Sequence, residues 1–283
     1  MSLSLMFITN NLDVALIAQK YGVERIWIDL ETLDKEKRQT GIDTVKSHHT
    51  VEDIKTIKPH LITSEMLVRV NHWNEESILE INSVVEAGAD IIMLPYWKTV
   101  EEVNRFIDAV DGRCKTTLLL ETREAVEIVD DVLNLGGFDE IHIGLNDLHL
   151  SYDLDFMFEL LTNGIVEMLC QKFKAKGIPY GFGGIARIGD GAVPAERIIL
   201  EHYRLGSTRA ILSRTFCDYT KINSLNEVES VFMRHIKELR EFEIVAKSAS
   251  HEEFEKNTKE LSVAVSRVAR IMHIRKLGEQ LNA

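Results

Sequence analysis

A chain of 283 residues with 45% hydrophobic side chains can bury a large core, and its length suits one α/β barrel of about 250 residues. The formal charge of −12, from 45 acidic against 33 basic side chains, argues against nucleic acid or an anionic membrane as the main partner. The isolated Cys114, Cys170 and Cys217 form no CxxC pair, and no apolar run approaches the ~18 residues of a membrane span. Residues 1–5 lack the basic region and cleavage site of a secretion signal, so a reducing cytoplasm is the expected compartment.

In chain order, β-type runs alternate with amphipathic stretches. A strand at Leu5–Thr9 is followed by a helix over Val14–Tyr21, and a strand at Arg25–Leu30 by a polar stretch. Strands at Met66–Val70 and Asp90–Leu94 precede helices over Glu76–Ala87 and Val100–Val110. Thr116–Leu120 leads into a helix over Arg123–Leu133, and Glu140–Ile143 into one over Phe156–Lys176. The last pair of strands, Pro179–Phe182 and Arg209–Leu212, encloses a helix over Ala195–Leu205. Gly22, Gly88, Gly112, Gly136-Gly137, Gly177 and Gly206 each fall just after a helix, where a left-handed cap is wanted. Eight strands with a helix after nearly every one predict a parallel (β/α)8 TIM barrel over residues 5–225.

Residues 226–283 read as helical rather than as an independent domain. Stretches at Glu227–Ala246 and His251–Leu277 flank Lys247-Ser248-Ala249-Ser250. The second carries Leu261, Val263, Val265, Val268, Ile271 and Ile274, more apolar surface than a solvent helix should show. It packs either under the barrel's own helices or on a neighbouring subunit; the stripe favours a homo-oligomer.

Barrel enzymes carry their reactive groups at the C-terminal ends of the strands. Those ends offer Asp29 and Glu31 after the second strand, Arg69 in the third, Glu121 after the fifth and Asp147 after the sixth. Glu121 and Asp147 lie 26 residues apart, about one β/α unit, so they can converge from adjacent strands. Two carboxylates in one mouth repel each other, and a divalent cation completed by water and substrate oxygens is the natural compensation. Each could instead belong to a helix start. Glu121 shares its strand face with Leu119, so it points inward only if Leu119 does. Arg69, flanked by Val68 and Val70, needs an anion: either a core ion pair or a substrate carboxylate that its planar fork would clamp.

Five segments together resemble the HpcH/HpaI aldolase and citrate lyase beta-chain family. They are Arg25-Ile26-Trp27-Ile28-Asp29-Leu30-Glu31, Leu67-Val68-Arg69-Val70-Asn71, residues 86–95 (EAGADIIMLP), Leu120-Glu121-Thr122 and Ile143-Gly144-Leu145-Asn146-Asp147-Leu148. In order and spacing they span Phe7 to Cys217. The resemblance implies a (β/α)8 lyase that makes or breaks a carbon–carbon bond beside the carbonyl of a small 2-oxo or hydroxy acid. It implies that Glu121 and Asp147 hold the metal, with Mg²⁺ favoured over Mn²⁺ or Co²⁺, and that the enolate forms against it. Arg69 would contact the oxo-acid or acyl group, and backbone N–H groups from Gly144 through Asn146 to Asp147 would hold the substrate carboxylate. The family's aldolases assemble as trimers or hexamers with swapped C-terminal helices.

Two positions depart from the aldolase pattern: Thr32 stands where those members carry the basic histidine, and Leu119 where they carry glutamine. The Asp-Leu-Glu followed by Lys35-Glu36-Lys37-Arg38 resembles the citrate-lyase-like branch, whose substrate is a CoA thioester. A regulatory barrel that keeps the metal site without the proton-transfer group is the alternative from outside enzymology. Replacement candidates for proton transfer are His48 and His49, with Asp29 or Glu31 orienting a water. Gly181-Phe182-Gly183-Gly184 reads as a loop of close approach or a phosphate contact, and His142 as a hydrogen-bonded core histidine.

Overall fold

A computed structural model describes residues 2–33 and 48–281. Its first half contains β1 (Ser4–Ile8), α1 (Leu12–Lys20), β2 (Arg25–Asp29), α2 (Val51–Ile57), β3 (Glu65–Arg69), α3 (Ser77–Glu86), β4 (Ile91–Leu94) and α4 (Val100–Val110). Next come β5 (Lys115–Leu120), α5 (Arg123–Glu127), α6 (Val129–Leu135), β6 (Glu140–Ile143), α7 (Leu145–Ser151), α8 (Glu159–Thr162) and α9 (Ile165–Ala175). β7 (Tyr180–Ile185), α10 (Ala195–Leu205), β8 (Arg209–Leu212), α11 (Leu225–Ser248) and α12 (His251–Leu281) complete it.

The eight strands pair in parallel in sequence order, and β8 closes onto β1. All eight expected strands are present, and the six helix-ending glycine sites named above all have positive φ. The helix expected over Arg123–Leu133 is two helices meeting at Ile128, and that over Phe156–Lys176 breaks at Asn163-Gly164. The helix α7 has no counterpart among the expected elements, because seven residues are too few to show a periodic face.

Strand parity divides the apolar side chains into two layers. Met6, Trp27, Leu67, Ile91, Met93 and Leu119 fill the barrel interior, while the opposite faces pack under the helices. Each fully buried large side chain contributes about 1.5–3 kcal/mol of transfer free energy. Below the apolar interior layer sits an ionic one. Arg25 makes a bidentate pair with Glu140, Arg209 Nε lies 2.6 Å from Glu140 Oε2, and Thr117 Oγ1 donates to Glu140 Oε1 at 2.8 Å. Burial pushes the Glu140 carboxyl up, but Arg25 and then Arg209 outweigh it and hold it below its usual range.

His142, on the same strand face as Glu140, faces this interior, but without the expected hydrogen bond. Neither ring nitrogen has a partner among the described residues; the Gly183 backbone lies within electrostatic reach, outside hydrogen-bond geometry. The ring packs on bare backbone: a Cβ on Gly181 would come within 2.8 Å of Nδ1. His202, stacked on Phe182 with centroids 3.9 Å apart, bonds Ser207 Oγ through Nδ1 at 2.8 Å. Burial pushes His142 down to about 4 and His202 down to about 3. Both stay neutral in the fold while the unfolded chain takes up protons below about 6.5. Stability is therefore expected to fall as pH drops from about 6.5 towards 4, by up to about 1.4 kcal/mol per pH unit for each ring. Urea unfolding across that range checks it. His142→Gln should remove close to one proton from the slope, and an unchanged slope would contradict the assignment.

The long helix α12 does not stand away from the barrel. Leu261, Val265 and Ala269 are buried against the chain's own elements, chiefly α10 and α8. Asn257 Nδ2 donates to Glu201 Oε1 at 3.0 Å, which satisfies a fully buried carboxylate. One side of the stripe thus covers α10 and α8. Val263, Ile271, Ile274 and Leu277 remain exposed. Among the described residues no helix is long and apolar enough to cross a membrane.

Candidate active site at the barrel mouth

One step above the interior layer, the same faces of β2, β3 and β5 turn polar. Trp27 is followed two residues on by Asp29, Leu67 by Arg69, and Leu119 by Glu121. Leu119 does point inward, so Glu121 enters the mouth, 3% exposed.

Asp29 and Arg69 stand opposite each other in the β2–β3 register. Arg69 Nε and a terminal nitrogen donate to the two Asp29 oxygens at 2.8 and 2.9 Å, and the other terminal nitrogen lies 3.2 Å from Glu31. The guanidinium carbon sits 5.3 Å from the centre of the Trp27 ring. Burial opposes the charge on Arg69, but Asp29, Glu31 and then Glu121 outweigh it and raise its pKa well above the usual value. The bidentate edge expected for a substrate carboxylate is therefore used on Asp29. Arg69 is an ion-pair residue standing in the mouth, which joins the two readings.

Glu121 is not a helix cap: Thr122 caps α5, accepting from the Ala125 N–H. Glu121 Oε1 accepts the N–H of Tyr96 at 3.0 Å, a contact with no signal in the sequence. Gly144 packs directly on this carboxylate and starts α7, whose first turn carries Asn146 and the half-buried Asp147. Gly144 N–H donates to Leu120 O at 2.9 Å, so it belongs to the strand ladder and is not directed at a substrate carboxylate. The backbone N–H groups of Leu145, Asn146 and Asp147 lie in the first turn of α7.

At the β2 end, Asp29 N–H donates to Nδ1 of the half-buried His49 at 3.0 Å, whereas His48 is exposed. Thr32 and Leu33 both donate their N–H to Asn71 Oδ1, at 2.9 and 3.0 Å, and Asn71 Nδ2 donates to Glu80. The Lys35–Arg38 cluster lies outside the described residues. Gly181 and Gly183 are accounted for by packing against His142 and Leu145, so close approach there is internal.

Among the described residues no three His, Cys, Asp or Glu side chains converge on one point. The two carboxylates expected there are Glu121, buried, oriented by an N–H and given room by a missing Cβ, and the half-buried Asp147. That donor set fits a hard cation such as Mg²⁺, which keeps several waters and needs only one or two carboxylates.

Comparison with curated protein sequences returned no match. Solved structures share the fold at low identity. An HpcH/HpaI aldolase from Desulfitobacterium hafniense DCB-2 is 14% identical with a TM-score of 0.59, covering 85% of this chain and 93% of its own. An HpcH/HpaI aldolase/citrate lyase family protein from Burkholderia cenocepacia J2315 is 13% identical with a TM-score of 0.60, covering 80% and 95%. The citrate synthase SbnG is 17% identical with a TM-score of 0.55, covering 75% and 86%. The family model for HpcH/HpaI aldolase/citrate lyase matches residues 3–156, more than half of the chain and all the strands that bear the mouth residues, and on that match the chain belongs to the HpcH/HpaI aldolase/citrate lyase family.

Proposed function

We propose that this chain is a divalent-cation-dependent carbon–carbon lyase that forms or cleaves a bond beside the carbonyl of a small 2-oxo or hydroxy acid through an enolate. The observation that carries this reading is the convergence of Arg69 and Glu121 in one mouth, with Arg69 held charged by Asp29, Glu31 and Glu121. Glu121 and Asp147 would hold the cation, Mg²⁺ or Mn²⁺ by the chemistry of two carboxylate donors, and a cation held there would polarise a substrate carbonyl.

Arg69 places a fixed positive charge where negative charge develops on the enolate oxygen. Its fork is locked by Asp29, so it acts through field and a single N–H rather than a two-point grip. The first-turn N–H groups of α7 would donate to the substrate carboxylate. Proton transfer falls to the β2 end. His49 uses Nδ1 as an acceptor, so its neutral ring carries the proton on Nε2 and serves as a donor. A water oriented by Asp29 or Glu31 accepts the proton, with the exposed His48 as the second candidate for this role.

Solvent deuterium exchange tests this without a known partner substrate. With Mg²⁺ or Mn²⁺ present, the enzyme should exchange the C3 protons of pyruvate or a homologous 2-oxo acid in D2O, read by proton NMR. Exchange no faster than with cation alone, across small 2-oxo acids, would contradict it.

The exposed face of α12 is proposed as a homo-oligomer contact. Because the buried side of the helix covers the barrel, deletion would expose the chain's own core. Ile274→Glu, at a position 60% exposed, is the cleaner probe. Light scattering should show it shifting the particle towards monomer, and a wild-type monomer would contradict the contact.

A further inference from the structure

Three non-glycine residues among those described have positive φ: Tyr96, Asp111 and Asp153, at 51°, 49° and 54°. Asp111 caps α4 and Asp153 lies just beyond the end of α7, and aspartate tolerates this region. Tyr96 is different. It is bulky, it ends no helix, and it follows β4 by two residues. A non-glycine residue held in this region beside a site is over-determined by its surroundings. The N–H that the left-handed turn presents is the one donated to Glu121 Oε1.

Gly144 bounds the same carboxylate from β6. A Cβ there would lie 2.8 Å from Glu121 Oε2, 2.9 Å from Glu121 Cβ and 3.3 Å from Leu119 Cδ1. Its φ of −82° and ψ of 86° do not lie in the left-handed region, so backbone freedom does not require glycine. Its N–H is engaged with Leu120 O. What remains is the room it leaves.

We infer that Tyr96 and Gly144 are positioning residues for the Glu121 carboxylate: the left-handed N–H of Tyr96 fixes Oε1, and the bare Cα of Gly144 admits Oε2. Together they set the plane in which Glu121 meets a cation. This rests on the reading that Glu121 holds the metal, and it extends that reading to two residues that are not themselves ligands.

Two measurements test it. The first needs no metal. In protein labelled with 15N-tyrosine, the Tyr96 amide should exchange slowly with solvent, and Glu121→Ala should accelerate it at least ~10-fold while the fold persists. Equal exchange in both proteins overturns the inference. The second follows Mn²⁺ affinity by electron paramagnetic resonance. Gly144→Ala and Tyr96→Pro should each weaken binding by about 10- to 100-fold, as loss of groups that orient a ligand does. Tyr96→Gly keeps the N–H and adopts positive φ freely. It should bind Mn²⁺ within about two-fold of wild type and unfold at a higher temperature. If Gly144→Ala folds and binds Mn²⁺ as wild type does while Glu121→Gln loses it, the positioning role is wrong and the metal reading stands. If Glu121→Gln itself keeps full affinity, the metal reading fails, and amide exchange alone decides whether Tyr96 orients the carboxylate.

Discussion

Glu140→Gln is expected to cost about 3–5 kcal/mol of stability, because it breaks a buried ion pair and leaves two guanidinium groups short of their counter-charge. The Arg25 and Glu140 side chains are only 5% and 4% exposed, so water cannot substitute for the lost carboxylate. Thr117 Oγ1 and Arg209 share the same two oxygens, and removing the charge disturbs all three contacts at once. Chemical denaturation of wild type and variant measures the loss, with a melting point lower by roughly 6–20 °C as the companion sign for a chain of this size. The Lys115–Glu65 pair, more than a third exposed on the same end of the barrel, is expected to contribute under about 1 kcal/mol and serves as the control. A Glu140→Gln loss no larger than the control's would contradict a buried ionic layer that matters. Glu140 starts β6 at the end opposite the mouth, so the folded variant should keep its activity.

Arg69→Lys is expected to lower kcat/KM for enolate formation by about 10²–10³-fold, the usual consequence of losing a preorganised charge beside a developing oxyanion. Lysine carries the same charge but not the fork. It cannot donate two parallel bonds to Asp29 and a third to Glu31 from a single ammonium. The positive charge would move away from the mouth, and two carboxylates only 2% and 3% exposed would be less well satisfied. The same deuterium exchange reads the rate, and circular dichroism reads the fold. Full activity in the lysine variant would remove Arg69 from the chemistry. A variant that fails to fold would make it a structural ion pair only.

Much of the architecture was legible because each strand is a short apolar run and most helices end at a glycine whose φ is positive. Parity tied the direction of Glu121 to that of Leu119, and Leu119 is an interior residue. The partners of the mouth residues were not legible. Arg69 showed its need for an anion, but which carboxylate sits across from it depends on the β2–β3 register, which no local pattern encodes. Gly144 was read for its N–H, yet the strand ladder takes that N–H and the residue matters for its missing Cβ. Tyr96 gave no signal because a left-handed tyrosine breaks local preference, and such breaks concentrate where tertiary structure and function overrule it. His142 shows the same limit in the core. Its inward direction followed from alternation, but its lack of a bond follows from glycines on the neighbouring strand.

Under the proposed function, Glu121 and Asp147 form one divalent-cation site beside Arg69. Isothermal titration of Mg²⁺ or Mn²⁺ into the wild-type protein, Glu121→Gln and Asp147→Asn tests it most directly. One site is expected in the wild type, weakened at least ~10-fold by either substitution, because a site with two carboxylates has little redundancy. A wild-type protein that binds neither cation, or affinity that neither substitution changes, would contradict it.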